Sequence, residues 1–371
     1  MRRTSRYGPA LALALAAGAA APAALHAQGT PELEIHGLLR TGFRAEPESS
    51  GSSDAFALFD ARLGATGRVG IIFDYEAAVE YDREDRSIRL LDASLGIPLR
   101  GEDLKLQIGL ANSPVGGEAT RDKGEIPFLE RSQGSLALAP GRQIGAALHG
   151  AALEGRFGWH AGVFNGNGAE LENDGDGFLW AARATWNSVG EVEFFEDFVW
   201  EVGAGLAFSE DSALAAFPLA VAESGVEGLS PVLVPFTGDR WIWGFDARVG
   251  YRAVTVSGEY LRAEFEPDGG DDTDAEGWHV QGAYNLWGAI EWLARYDSFR
   301  TARLASGLGT ERTEFLVLGL NLLPGLYGRL GLQYAIGLDG TEVGPERALD
   351  GTNTGPRLAD GQFLLNLQVA F

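Results

Sequence analysis

Between Phe73 and Asp82 an acid stands at nearly every second position, with Asp74, Glu76, Glu80 and Asp82 alternating with Phe73, Tyr75, Ala77, Val79 and Tyr81. A two-residue repeat marks an extended strand whose two faces meet different surroundings, here one apolar and one charged. The pattern recurs where Trp243, Phe245, Ala247, Val249 and Tyr251 oppose Asp246, Arg248 and Arg252, and where Ile290, Trp292, Ala294 and Tyr296 oppose Glu291, Arg295 and Asp297. It returns at the end of the chain, where Phe363, Leu365, Leu367, Val369 and Phe371 oppose Gln362, Asn366 and Gln368. A basic side chain at mid-bilayer costs roughly 2–4 kcal/mol and an acidic one somewhat less, so if the apolar faces meet lipid the charged faces must line water.

Candidate strands fall near 33–44, 56–67, 72–82, 88–98, 104–110, 143–154, 157–165, 178–186, 198–208, 243–252, 254–264, 277–285, 289–299, 313–322, 327–336 and 362–371. Short connections at 68–71, 99–103, 155–156, 187–197, 253, 286–288 and 323–326 alternate with mostly longer ones, the longest at 111–142 and 209–242. This predicts an all-β fold, a sixteen-stranded antiparallel transmembrane β-barrel with short periplasmic turns and long external loops. A soluble sandwich or propeller shows neither the alternating connections nor aromatic residues crowded at strand ends. After the first thirty residues no stretch approaches the roughly 18 apolar residues of a spanning helix.

At the start, Arg2, Arg3 and Arg6 precede an Ala/Leu run from Ala10 to Ala24 and a small-residue boundary at Ala27, the pattern of a secretory signal peptide. The expected division is a signal peptide over 1–27 and one barrel domain over 28–371, placed in a bacterial outer membrane. Removing the leader takes away three Arg and no acid, so the net charge moves from −23 to −26. Such acidity argues against a nucleic-acid partner. The partners it fits are outer-membrane lipid and lipopolysaccharide, while Phe371, a terminal aromatic on an alternating strand, is the expected signal to the barrel assembly machinery.

The chain has no cysteine, which excludes disulfides and thiolate metal sites. His26, His36, His149, His160 and His279 are scattered singly, and no HExxH, GxSxG or phosphate-cradling glycine loop occurs. The reading is therefore no enzyme, no cofactor and no metal site. Acidic connections hold Glu172, Asp174 and Asp176, and Asp271, Asp272 and Asp274. The stretch from Glu172 to Gly177 faintly resembles a calcium loop without its terminal Glu, so the alternative function is a structural or adhesive barrel with calcium-binding loops. The connection 209–242, with Phe217, Leu219, Val232, Leu233, Val234, Phe236 and Trp241, is apolar enough to plug the lumen, latch a neighbouring subunit or touch lipid.

By alternation the lumen-lining candidates are Asp60, Asp74, Glu76, Glu80, Arg183, Arg248, Glu291, Arg295 and Arg329, a polar interior throughout. The connection 111–142 gathers Arg121, Lys123, Glu125, Glu130, Arg131 and Arg142 with Pro114, Pro127 and Pro140. These cations either favour an anion in a narrow passage or pin the connection to the wall through carboxylates.

Three ordered blocks, Ile126-Pro127-Phe128-Leu129-Glu130-Arg131-Ser132, Leu138-Ala139-Pro140-Gly141-Arg142-Gln143-Ile144-Gly145 and Ala161-Gly162-Val163-Phe164-Asn165-Gly166-Asn167-Gly168, resemble the phosphate-selective porin O and P family. Asp60-Ala61-Arg62-Leu63-Gly64, Phe73-Asp74-Tyr75 and Asp92-Ala93-Ser94-Leu95-Gly96 extend the resemblance over about residues 56–168. It implies a homotrimer of sixteen-stranded barrels, each with an inward-folded third loop and a cation-lined path for phosphate or related anions. On the matching blocks Arg62, Arg131 and Arg142 are constriction or anion-contact candidates, with Arg121 and Lys123 in the same loop. The lumen mixes acids with these cations and has no arginine ladder, so the expectation is passive diffusion of small solutes, anions such as phosphate among them.

Overall fold

The computed structural model describes residues 32–45, 54–70, 73–82, 87–100, 103–166, 168, 173, 177–188, 198–214, 236–300, 312–325, 328–338 and 361–371. The leader, Glu172, Asp174 and Asp176, and Phe217, Leu219, Val232, Leu233 and Val234 lie outside the described residues. The strands are β1 (Glu32–Ala45), β2 (Ala55–Val69), β3 (Phe73–Asp82), β4 (Ser87–Pro98), β5 (Leu104–Asn112), β6 (Arg142–Ala152), β7 (Phe157–Phe164) and β8 (Leu179–Asn187). They continue as β9 (Phe198–Leu214), β10 (Phe236–Tyr251), β11 (Val254–Pro267), β12 (Thr273–Leu286), β13 (Ile290–Arg300), β14 (Arg312–Gly325), β15 (Gly328–Gly337) and β16 (Phe363–Ala370). One helix among the described residues, α1 (Gln133–Leu138), lies between β5 and β6.

Every strand pairs antiparallel with its chain neighbour, and β1 pairs with β16 to close a sixteen-membered barrel. At that seam Phe371 N donates to Gly37 O over 3.1 Å and Gly37 N to Phe371 O over 2.8 Å. The Phe371 ring fills the space above Gly37, where a Cβ would come within 2.5 Å of it. No described helix is long and apolar enough to cross a membrane, and in this fold the strands do the crossing.

The expected alternation is present. In β9, Leu206 is 52% exposed and points outward while its neighbour Ala207 is 0% exposed and points inward. Trp180, Trp186, Trp243, Phe245, Tyr284 and Trp292 share the outer surface. Strand ends depart from expectation, because β9 to β12 run further than their apolar alternation. Phe236 and Trp241 are therefore wall residues, and Asp274 lies in β12 beside Arg300 and Arg262 instead of in an acidic loop. Arg252, expected on the lumen face of β10, sits instead in the hairpin turn after it with φ 52°. The connection 188–197 is longer than 83–86 or 268–272 at the opposite end, so connection length alternates only loosely.

The expectation of a polar interior fails over a large part of the wall. Ala207, Ile242, Leu261, Ala263, Phe265, Ala275 and Phe299 face inward and bury with Val115, Ala137 and Leu138 of the connection 113–141. A second group joins Ile126 and Phe128 to Leu293, Phe315, Val317 and Ala335. A third joins Leu129 to Phe59 and Leu364. Phe59 turns inward because the register slips between Arg40 and Thr41, which pair with Asp60 and Leu58, leaving Phe59 as the extra residue of a bulge. These inward apolar residues exist because the connection folds inside the barrel and covers them, removing both surfaces from water.

Two glycines let the helix come close to the wall. A Cβ on Gly277 of β12 would fall 2.4 Å from the Cα of Gly134 in α1, so the helix lies directly on the strand. Ser132 caps that helix, its hydroxyl accepting from Ser135 N at 3.3 Å.

Because Leu206 stands mid-strand on the outer face, Leu206→Arg should lower unfolding free energy by roughly 2–4 kcal/mol, measured by denaturant titration of protein folded into phospholipid vesicles.

Candidate functional site: a loop folded into the lumen

Apolar burial seats the loop, and polar contacts fix its register. Arg40 and Lys123 meet on Asp60, with Arg40 Nε and Lys123 Nζ each donating over 2.6 Å. Arg40 also donates to the carbonyl of Leu129 at 2.7 Å. Across the lumen Arg295 donates to the carbonyl of Glu130 at 2.8 Å, and its guanidinium lies 4.6 Å from the centre of the Phe128 ring. Asn321 donates to Pro127 O at 2.9 Å, Gln368 donates to Gly124 O at 3.0 Å, and Gln333 accepts from Leu129 N at 3.2 Å. At the start of the loop Glu259 accepts from the amides of Gly117 and Glu118 at 3.0 and 2.9 Å. Buried ions of this kind are tolerated only when paired and hydrogen-bonded.

The five anion-contact candidates come together. Arg62, Arg121, Lys123, Arg131 and Arg142 all line one cavity of about 480 Å³ between the loop and the wall from β1 to β7, with Glu76, Asp92 and Asp122. Each cation also has a partner. Arg62 Nε donates to Glu80 at 2.8 Å, Arg142 grips Asp92 through two nitrogens at 2.9 and 3.0 Å, and Arg121 pairs with Glu201 at 3.1 Å. Arg131 donates to the carbonyls of Glu118 and Arg121 at 3.2 and 2.6 Å, bracing the loop against itself. Burial pushes the Arg131 guanidinium down to about 10, opposed by the nearby Glu118 carboxylate, so it stays charged at neutral pH. Burial likewise draws the Lys123 ammonium down, and Asp60 counters it.

All nine lumen-lining candidates fall on inward positions of their strands, yet their surroundings differ. Asp74 takes Arg68 at 2.6 Å and Lys105 at 2.9 Å, while Arg183 pairs with Asp246 at 2.7 Å. Arg295 is 1% exposed beneath the loop, and Arg329 donates to Gln368 at 2.6 Å. Arg248 is exposed to the lumen and, with Arg121 and Glu291, lines a smaller cavity of about 120 Å³ on the other side of the loop. Glu76 remains on the wall of the larger cavity.

Sequence reasoning passed over Arg40 and Glu118, and it left Glu259 and the histidines as lone lumen residues without a shared site. His149 and His160 are paired across β6 and β7, their rings 5.5 Å apart. Strand parity was the available signal, since Arg40, Glu259 and His279 all fall on lumen positions.

A closed sixteen-stranded barrel with a loop seated inside its lumen defines the class of outer-membrane porins, water-filled channels for passive diffusion. The model of the phosphate-selective porin O and P family matches this chain over residues 40–197. Among solved structures the trimer form of the outer-membrane protein OmpT of Vibrio cholerae is similar at 15% identity and TM-score 0.62, over 92% of this chain and 100% of that one. An anion-selective porin from Comamonas acidovorans gives 13% identity and TM-score 0.59, over 92% and 100% of the two chains. OmpF of Salmonella typhi, in complex with daunomycin, gives 12% identity and TM-score 0.60, over 92% and 97%. At these identities the likeness is one of fold. No curated protein sequence matches the chain.

Asp60→Asn removes the charge on which Arg40 and Lys123 converge. It should cost about 3 kcal/mol and speed tryptic cleavage after Arg121 and Lys123, followed by gel electrophoresis of the folded protein.

Proposed function

We propose that the pore passes small solutes with a modest preference for anions, set at the cavity between the loop and the wall from β1 to β7. The supporting observation is the arrangement of charge there. Five cationic side chains reach the cavity surface against three acids, Glu76, Asp92 and Asp122, while Asp60, 2% exposed, stands behind Lys123 and Arg40. A passing anion meets a wall with more cations than acids, in a passage where water screens poorly. Because Glu80, Asp92 and Glu201 hold three of these cations, the field is weaker than a bare arginine ladder would produce, and phosphate passes as one small anion among several.

The protein works without a covalent step, as a homotrimer in the outer membrane among lipopolysaccharide, after loss of residues 1–27. The trimer rests on the family and on the trimeric form of the Vibrio protein. Phe371 serves as the terminal signal to the assembly machinery, and its place at the closing seam gives that residue a second, structural task.

Planar bilayers separated by a potassium chloride gradient test the reading. The reversal potential should favour chloride, and phosphate added to one side should lower chloride current. Arg62→Glu with Arg142→Glu should cut the anion-to-cation permeability ratio roughly twofold or more. A wild-type potential favouring potassium would sink the proposal.

A further inference from the structure

Where the loop meets β11 and β12, three side chains from distant parts of the chain converge. Glu118 comes from the loop, Glu259 from β11 and His279 from β12, and each offers a ligand atom within 4.8 Å of the other two. All three are buried, at 6%, 7% and 3% exposure. Contacts within the protein do not use up their bonding capacity. One oxygen of Glu118 accepts from Ser132 N at 2.7 Å, while the other is buried with no hydrogen-bond partner. His279 makes no hydrogen bond or ion pair among the described residues.

The ring faces the carboxylates of Glu118 and Glu259 without a hydrogen bond to either, which leaves the space between the three side chains open. An imidazole with two carboxylates in this arrangement is a ligand set. Two ligands across an ion bound at roughly 2.0–2.2 Å stand about 4 Å apart, too far to bond to each other and close enough to share a metal. Asp297 lies directly opposite His279 in the β12–β13 register, and it fixes the loop by accepting from Gln133 N at 3.0 Å. Its other oxygen is buried without a hydrogen-bond partner, while Arg295 Nε lies 3.7 Å from the bonded one. The cavity of about 120 Å³ touches Glu118, Glu259 and His279, so a hydrated ion has access and room to keep water ligands.

We propose that Glu118, Glu259 and His279 form a binding site for one divalent cation of the zinc class, which clasps the inward loop to the barrel wall. Two carboxylates and one imidazole suit zinc better than calcium, which prefers oxygen alone. The ion joins the first turn of the loop to two adjacent strands, so its gain or loss alters how firmly the loop holds the passage. The assignment is independent of which solute the pore carries.

The test uses the full folded protein in detergent, stripped with EDTA and titrated with zinc chloride in a calorimeter. One ion per protomer is expected, bound at least about tenfold more weakly by His279→Gln and by Glu259→Gln. Asp271→Asn with Asp272→Asn, at the exposed rim, should leave that binding unchanged. Single-channel current should shift on adding zinc, recover with EDTA, and not respond in His279→Gln. Zinc bound equally well by wild type and His279→Gln would overturn the proposal, as would no stoichiometric binding. If the variants do not fold, anomalous scattering from zinc-soaked wild-type crystals decides: a peak among the three side chains supports the site, and peaks only at rim carboxylates refute it.

Discussion

Hydrocarbon offers no partner to a backbone N–H or C=O, and this requirement governs everything else in the molecule. A sheet crossing a membrane satisfies it only by having no edge, which is why β1 must find β16. Closure divides the side chains into two sets by parity alone. The outer set is answerable to lipid and must be apolar over the membrane span. The inner set is answerable to whatever fills the interior, and in this chain part of that interior is protein.

The inward loop turns a uniform tube into an asymmetric one. Its apolar residues attach to walls contributed mainly by β8 to β15, with Leu129 reaching Phe59 and Leu364 at the seam side. The wall from β2 to β6 is left facing water, and there Arg62, Glu76, Asp92 and Arg142 meet the larger cavity. Hydrophobic burial therefore decides where the passage runs, and the charges left along it decide what the passage favours. Ion pairs reconcile the strongly acidic chain with cationic side chains in the lumen, because carboxylates such as Asp60 and Glu80 lie beside or behind the cations that reach the cavity.

Much of this was legible from residues alone. Alternation such as that of Phe73 to Asp82 reported strand, face and barrel, and the order of blocks around Arg131 and Arg142 reported the resemblance that the family model matches over residues 40–197. Parity, however, identifies a face without saying what covers it. Ile242, Leu261 and Phe265 broke the expected polar interior because α1 and its flanks lie over them. Arg295 has the spacing of a pore residue and is buried under Glu130 and Phe128 for the same reason. Strand ends were misjudged near Phe236 and Asp274, where charge or small residues interrupt the apolar period while backbone pairing continues. The cluster of Glu118, Glu259 and His279 has no local spacing to announce it, since barrel curvature and the loop's inward fold bring its members together.

The seating of the loop also has a temporal meaning. The surface that receives Val115, Ile126, Phe128 and Leu138 is assembled from strands made mostly after the loop itself, β8 to β15. The seat is therefore complete only when those later strands have joined the sheet, so the aperture is held by contacts far apart in the chain.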